Sequence, residues 1–306
     1  MPDKIGYLIA TKESDWARNI RWFDDKLKHK SMQKRKEPSG GAKGDSQKII
    51  DAAVVLANDS DVKVIVTAGT GAALAVKDAT RMNRKPFVFA SVGDPRISSL
   101  VPVQGSTDNF TGGNNRQAEE RVVKLRVDYM LSNPNPAFQG PFAILGNHSI
   151  DPSPSKTAMD IVHDYLTRFH GKTARLFSIT PADSIATKID EIKNDAAGYK
   201  AVYVCSDLFL TVNSTELNRL AHRSPNPLVT MFEFEEHKVT HNADDFYGSD
   251  FKEMFEKAAV YVDEILDGER PSNLPIYVAD LGGQRPWPFM AKRKPPKGKG
   301  SRRKKK

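Results

Sequence analysis

The chain has 306 residues, a length that allows two domains of ordinary size. Its formal net charge of +8 is typical of a nucleic-acid-binding protein, but ten Lys and Arg residues and no acid lie in residues 292–306. The other 291 residues carry a net charge of about −2, and the single cysteine excludes both an intrachain disulfide and a thiolate metal cluster.

Short apolar or β-branched runs recur along the chain and are separated by segments of helical length. We predict strands at Ile5–Ala10, Val64–Ala68, Phe87–Ser91, Phe142–Gly146, Ala174–Thr180, Ala201–Cys205 and Leu228–Phe232. Apolar residues at helical spacing predict helices at Asp45–Asn58, Ala72–Met82, Arg116–Leu131, Ser155–Phe169 and Phe251–Leu266. This alternation favours parallel sheets with helices on both faces.

The alternating pattern runs twice. A first set of strands ends near Gly112, and a second set begins at Phe142, after a break at Asn-Pro-Asn-Pro (133–136). We therefore expect two α/β lobes of similar size with a crevice between them. Residues 26–44 carry six Lys or Arg between positions 26 and 36 and are predicted to be a solvated loop, and the tail from Lys292 is predicted to be disordered.

Seven motifs keep the order that they have in one known family. They are Val64–Ala75, Pro86–Pro95, Asn109–Gly112, Phe142–Asn147, Tyr247–Phe251, Ala258–Gly268 and Leu274–Ile276. In this order they resemble the substrate-binding proteins of ABC transporters, in particular the branch associated with tryptophan and other aromatic amino acids. The resemblance implies the periplasmic-binding-protein type I fold, in which two Rossmann-like lobes with parallel sheets are joined by a hinge.

On this basis we assign residues 1–112 and 244–290 to the first lobe, 113–243 to the second lobe and 291–306 to a basic tail. Proteins of this family are exported, often as lipoproteins, whereas this chain enters its first strand directly after Met-Pro-Asp-Lys. A secretory signal needs an apolar stretch of ~7–15 residues at that point. We therefore expect a cytoplasmic protein, with a periplasmic location as the alternative if a leader has been removed.

In a hinged, two-lobed binder the ligand lies between the carboxyl ends of the strands, where helix N-termini present backbone N–H groups that suit a carboxylate. Polar residues and glycines follow the predicted strands at these ends. The candidate ligand-binding residues are Thr11, Thr70, Gly71, Ser91, Gly93, Asp94, Asn147 and Asp207. Thr70 can offer its hydroxyl and its N–H, Gly93 allows close backbone approach, and Asp94 is the expected partner of a ligand ammonium.

Each of these residues also has a purely structural interpretation. Thr70 could cap its helix, Asp94 could form a turn before Pro95, Asn147 could open a turn, and Asp207 could cap a short helix. The argument for a site depends on their convergence on one edge of two sheets.

Enzymatic functions have weaker support in the sequence. Residues 69–71 are followed by Leu74 and lack the third glycine of a dinucleotide fingerprint, so an NAD(P)-linked enzyme on a doubly wound sheet is only an alternative. We interpret Cys205 as a small buried core residue and not as a nucleophile. His237 and His241 have the spacing of metal ligands on a helix, but their surroundings favour a solvated loop. We predict no catalysis, no cofactor and no metal.

The basic tail has three possible roles. Residues 292–306 could contact nucleic acid phosphates or anionic lipid headgroups, or could only increase solubility. For the folded part we predict a non-catalytic protein that binds a small molecule, an amino acid or related zwitterion, with an ABC permease as partner. A cytoplasmic ligand sensor whose tail contacts nucleic acid or membrane is the alternative.

Overall fold

Apolar runs form the strands of two separate sheets in the computed structural model of this chain. The structure describes residues 3–9, 13–38, 46–101, 109–149, 153–205, 207–234 and 244–283. The strands of the first sheet are β1 (Lys4–Ile9), β2 (Gln33–Pro38), β3 (Val62–Ala68), β4 (Phe87–Val92), β5 (Phe110–Asn114) and β11 (Tyr277–Val278). Their order is β11-β5-β4-β3-β1-β2, and all of these pairs are parallel.

The second sheet repeats this arrangement. Its strands are β6 (Phe142–Gly146), β7 (Ala174–Ser178), β8 (Ala201–Val204), β9 (Val229–Phe232), β10 (Asp245–Ser249) and β12 (Leu281–Gly283). Their order is β12-β10-β9-β8-β6-β7, and only the pairing of β12 with β10 is antiparallel in the described part of the sheet. The seven predicted strands are confirmed, and their ends differ from the prediction by at most two residues.

Helices cover both faces of each sheet. They are α1 (Glu13–Lys26), α2 (Ser46–Asn58), α3 (Thr70–Ala79), α4 (Glu120–Leu131), α5 (Pro154–Asp164), α6 (Ile185–Asn194), α7 (Leu208–Val212), α8 (Ser214–His222) and α9 (Phe251–Leu266). The five predicted helices are confirmed, and α5 continues into a single π-helical turn at Tyr165–Phe169. The sequence analysis did not predict α1, α6, α7 or α8.

Each lobe has a core on both faces of its sheet, as parallel sheets require. In β1, the side chains of Ile5 and Tyr7 belong to the core beneath α1 and α9, whereas Leu8 belongs to the core beneath α2 and α3. In β6, Leu145 faces the core beneath α6 and α8, and Ile144 faces the core beneath α4 and α5. The strands therefore consist of nearly continuous apolar runs, which is why the sequence predicted them.

Helix α9 completes the first lobe although the chain reaches it from the second sheet. Phe255, Ala258 and Val262 of α9 pack in one core cluster with Ile5 and Phe23. The ranges predicted for the two lobes stay a prediction, but the strand pairing differs from them in one respect. Strands β10 and β12 lie within 244–290, which was assigned to the first lobe, and they pair in the second sheet.

Three short segments connect the lobes and are hydrogen-bonded to one another. We call them the first crossing (residues 115–119), the second crossing (residue 250) and the third crossing (residues 279–280). Ala279 N–H donates to the Asn114 carbonyl at 3.3 Å, and Asp250 N–H donates to the Asp280 carbonyl at 3.3 Å. The Ser249 hydroxyl donates to the carbonyl of Asn115. The crossings therefore form one hinge.

One prediction about a loop is wrong, and strand β5 was not predicted. Residues 26–44 were expected to be a solvated loop, but residues 33–38 form β2 and pair with β1 in parallel. Strand β2 lies at the edge of the sheet, where Lys-rich strands are common because charge discourages pairing with another chain. The sequence analysis predicted no strand at 110–114, but Phe110–Asn114 form β5.

Glycine is required in β5 by the close approach of β4. A Cβ atom added to Gly112 would lie 2.0 Å from the carbonyl oxygen of Phe89, and one added to Gly113 would lie 2.6 Å from that of Ala90. These glycines gave the segment the composition of a turn, although it is a buried strand. Thr11, His237, His241 and the tail at 292–306 lie outside the described residues.

Candidate functional site

The carboxyl ends of β3 and β4 form one hydrogen-bonded unit in the first lobe. Gly69 has a φ of 89°, and its N–H donates to the Ser91 carbonyl at 3.1 Å. Gly93 N–H donates to the Thr70 Oγ1 at 3.3 Å. The residue that caps α3 is Gly69, so the Thr70 hydroxyl does not cap the helix and instead connects the two turns.

Ser91 is buried and connects this unit to the hinge. The Asn115 side-chain amide donates to the Ser91 hydroxyl at 3.3 Å, and Asn115 N–H donates to the Val92 carbonyl at 3.0 Å. The end of β4 is therefore bound directly to the first crossing, and a ligand that moves this turn would also move the hinge.

Asp94 has the structural role that the sequence left open. It adopts a φ of 43°, and its Oδ1 accepts hydrogen bonds from the N–H groups of Arg96 (3.0 Å) and Ile97 (3.2 Å). Asp94 thus forms a turn and is half-buried at the strand end. Its role as partner of a ligand ammonium stays a prediction.

In the second lobe, Asn147 and Asp207 follow neighbouring strands. The side-chain oxygen of Asn147 accepts from the N–H (3.1 Å) and the hydroxyl (2.6 Å) of Ser149, so Asn147 forms the expected turn. Asp207 caps α7, because its Oδ1 accepts from Leu210 N–H at 2.8 Å. The second oxygen, Oδ2, is buried and has no hydrogen-bond partner among the described residues. Burial raises the pKa of Asp207 to about 6.

The two strand-end units meet between the lobes at Gly93. A Cβ atom added to Gly93 would lie 3.3 Å from the Cβ of Pro154 and 2.4 Å from the side-chain oxygen of Gln117. Pro154 is the first residue of α5, and Asn147 N–H donates to the neighbouring Ser155 hydroxyl at 3.2 Å. The structure therefore brings the units of Thr70, Ser91, Gly93 and Asn147 together, and Asp207 follows β8, the neighbour of the strand that Asn147 follows.

Sequence analysis missed the buried polar residues under this meeting point. Gln117, Arg126 and Glu233 are buried near the first crossing. Arg126 lies on the same helical face as Val123 and Met130, at spacings of three and four residues, so its presence on an apolar face was the signal that could have identified it.

Cys205 is a core residue, as predicted. It is fully buried in the second lobe among Met159, Tyr203 and Met231, and burial raises the pKa of its thiol. Within the described ranges, no group of three His, Cys, Asp or Glu side chains is arranged to hold a metal ion. In the same ranges, no helix has both the length and the apolar character needed to cross a membrane.

Two parallel sheets whose carboxyl edges meet beside a three-segment hinge define a two-lobed ligand-binding protein. A sequence model described as "ABC transporter substrate binding protein" matches residues 20–283. The chain belongs to this family. No curated protein matches the sequence.

Solved structures share this fold over most of the chain. An ABC domain from Streptococcus pneumoniae in complex with L-Trp has 18% identity and a TM-score of 0.75, covering 92% of this chain and 90% of its own. A conserved domain protein from Vibrio cholerae gives 18% identity and a TM-score of 0.72, with coverages of 92% and 90%. An ABC transporter solute-binding protein from Agrobacterium vitis with bound allitol gives 13% identity and a TM-score of 0.59, with coverages of 92% and 96%. At these identities the likeness supports the fold alone.

Proposed function

We propose that this protein binds a small zwitterionic ligand of the amino acid class between its lobes, catalyses no reaction, and delivers the ligand to an ABC permease. The observation that supports this proposal is the close approach of the Gly93 turn of the first lobe to the start of α5 in the second lobe. A ligand held at this point touches both lobes, so that its binding energy can hold the hinge closed.

The ligand carboxylate is assigned to the starts of α3 and α5. Both helices begin at the carboxyl edge of a sheet, where the partial positive charge of a helix N-terminus attracts an anion. Gly71 is exposed, and nothing lies within 4 Å of the position of its missing Cβ, so the start of α3 has open space in front of it. Because the Thr70 hydroxyl accepts from Gly93, it keeps its proton for a ligand oxygen.

The ligand ammonium is assigned to the acids at the same edges. Asp94 is half-buried in the first lobe, and Asp207 of the second lobe has an oxygen without a partner among the described residues. A positive ligand group between these carboxylates compensates for the burial of negative charge. The Streptococcus protein is in complex with L-Trp, which supports an amino acid as the ligand. The Agrobacterium protein has bound allitol, which makes a sugar the competing ligand class.

A thermal-shift panel tests the ligand class. We expect L-amino acids to raise the melting temperature, because a ligand at 100 times its Kd stabilises the folded state by about 2.7 kcal/mol. The decarboxylated amine and the deaminated acid of the same side chain should each produce a smaller shift, because each lacks one charged group. A shift with sugars and none with amino acids would contradict the zwitterion assignment.

Replacing Gly93 with valine tests the position of the site. The added side chain would occupy the space beside Pro154, and overpacking of this kind costs about 1–3 kcal/mol. We expect affinity for the best ligand of the panel to fall at least about tenfold, and the melting temperature without ligand to fall modestly, because the added Cβ also meets the side-chain oxygen of Gln117.

Gly140→Val is the matched control, since the nearest atom to its added Cβ is 3.8 Å away at the opposite end of β6. Isothermal titration calorimetry measures both variants. Equal affinities for Gly93→Val and the wild type would place the ligand elsewhere.

A further inference from the structure

Arg126 is a fully buried cation on the second-lobe side of the hinge. Its Nη1 donates to the Gln117 carbonyl at 2.7 Å, and its Nε donates to the Tyr247 carbonyl at 3.1 Å. The planar guanidinium has several donors in a fixed arrangement, so it can hold two backbone carbonyls in one geometry.

One of these carbonyls belongs to the hinge, and the other lies in a strand that leads into it. Gln117 lies in the first crossing, and Tyr247 lies in β10, three residues before the second crossing at Asp250. Between them, the Ser249 hydroxyl donates to the carbonyl of Asn115. One side chain therefore fixes the second-lobe ends of two of the three segments that connect the lobes.

The same guanidinium faces the end of β9 and an aromatic contact between the lobes. Nη1 lies 3.7 Å from the Glu233 carboxylate, with both side chains fully buried. The guanidinium carbon lies 5.9 Å from the ring centroid of Phe234. The ring of Phe234 in turn lies 4.8 Å from that of Phe251, which begins α9 in the first lobe.

Stability alone does not account for a cation at this position. Nη2 of Arg126 is buried and has no hydrogen-bond partner in the described part of the chain. Leaving a buried donor unsatisfied is destabilising, and a buried ion pair is commonly no more stable than apolar side chains of similar size. A residue that costs stability, binds one backbone carbonyl of the hinge and binds another in a strand leading into it is a candidate for a role in function.

We propose that Arg126 is a positioning residue that fixes the second-lobe ends of the first and second crossings. When the lobes rotate, bending is then confined to the few crossing residues between these fixed ends and the first lobe. The lobes therefore return to one defined closed arrangement. This role is independent of the ligand class proposed above and concerns the hinge without ligand.

Distance measurement between two spin labels tests this role directly. Met82 in the first lobe is 92% exposed and Phe169 in the second lobe is 70% exposed, so both can be replaced by cysteine and labelled. The native Cys205 is 0% exposed and stays unlabelled. The labels are introduced into the full chain, and electron–electron double resonance reports the distribution of distances between the lobes.

The informative variant combines Arg126→Met with Glu233→Gln, because removal of Arg126 alone would leave a buried charge. We expect its distance distribution to widen about twofold or to shift relative to the wild type, as a loosened hinge requires. Arg126→Lys keeps the charge but not the planar fork, and we expect the same change to a smaller extent. Arg121→Gln, at an exposed position on the same helix, is the matched control and should leave the distribution unchanged.

Urea unfolding of each labelled variant verifies that it is folded. A wild-type distribution in either Arg126 variant, with a cooperative unfolding transition retained, would overturn the proposal. If the double variant does not fold, Arg126→Lys decides the question by the same comparison.

Discussion

Replacing Gly248 with alanine is expected to prevent the second lobe from folding. A Cβ atom added to Gly248 would lie 1.5 Å from the backbone carbonyl oxygen of Glu233. The obstacle is backbone, which cannot rotate away, and β10 is paired with β9 and β12 on its two sides. We expect a loss of more than about 4 kcal/mol in the free energy of unfolding, which is the range of severe core substitutions.

Urea denaturation followed by circular dichroism measures this loss. Gly140→Ala is the control, because the nearest atom to its added Cβ is 3.8 Å away. The same chemical change at this open position should alter stability by no more than about 1 kcal/mol. Similar unfolding midpoints for the two variants would contradict the close approach of the chain at Gly248.

The second large effect is a pH dependence that originates at Asp207. Burial raises the pKa of its carboxyl from 3.8 to about 6 in the folded protein. Between these two values the folded state retains a proton that the unfolded state has lost, so stability falls as the pH rises through this window. The integrated loss is on the order of 3 kcal/mol and is complete above about pH 6.

Asp207→Asn removes this titration and keeps an oxygen that can cap α7. We expect the fall in the free energy of unfolding between pH 4 and pH 6 to be smaller in the variant by the amount that Asp207 contributes. The exposed Asp183 is a control with the opposite pH dependence. Hydrogen bonds from Thr180 lower the pKa of its carboxyl, so its titration makes stability rise with pH. Identical pH profiles for the wild type and Asp207→Asn would show that the carboxyl of Asp207 is not buried in solution.

The sequence predicted the strands that consist of apolar runs and missed strands that are polar, rich in glycine or short. Strands such as β3 and β6 are buried on both faces, so their residues are almost all apolar or small and the run is visible in the sequence. Among the described strands β2 pairs with β1 alone, and it consists of Gln-Lys-Arg-Lys-Glu-Pro, a composition that predicts a loop. Strand β5 is recognisable only when the carbonyl groups facing Gly112 and Gly113 are known.

The candidate site was predictable where it follows strand ends. Thr70, Gly93 and Asn147 were selected because each comes directly after an apolar run, and the structure brings their turns together. The direction of each side chain was not predictable, since hydrogen bonds within turns decide it. Asp94 and Asp207 each use one oxygen locally, and the ligand contacts of all these residues stay predictions.

Arg126 and Glu233 could not be paired from the sequence, because more than one hundred residues separate them and their contact exists only when α4 packs against the second sheet. An isolated arginine on an apolar helix face indicates burial. It does not indicate which carbonyls the guanidinium will contact.

The passage of the chain from the second sheet back into α9 has a consequence during synthesis. Helix α9, which covers one face of the first lobe together with α1, is made only after strands β6 to β10 of the second sheet, and the short strand β11 follows it. In a nascent chain of about 250 residues, α1 alone therefore covers that apolar sheet face of the N-terminal half, where domains usually fold first on the ribosome. Binding of a chaperone to that face, or rapid completion of translation, would protect the nascent chain from aggregation.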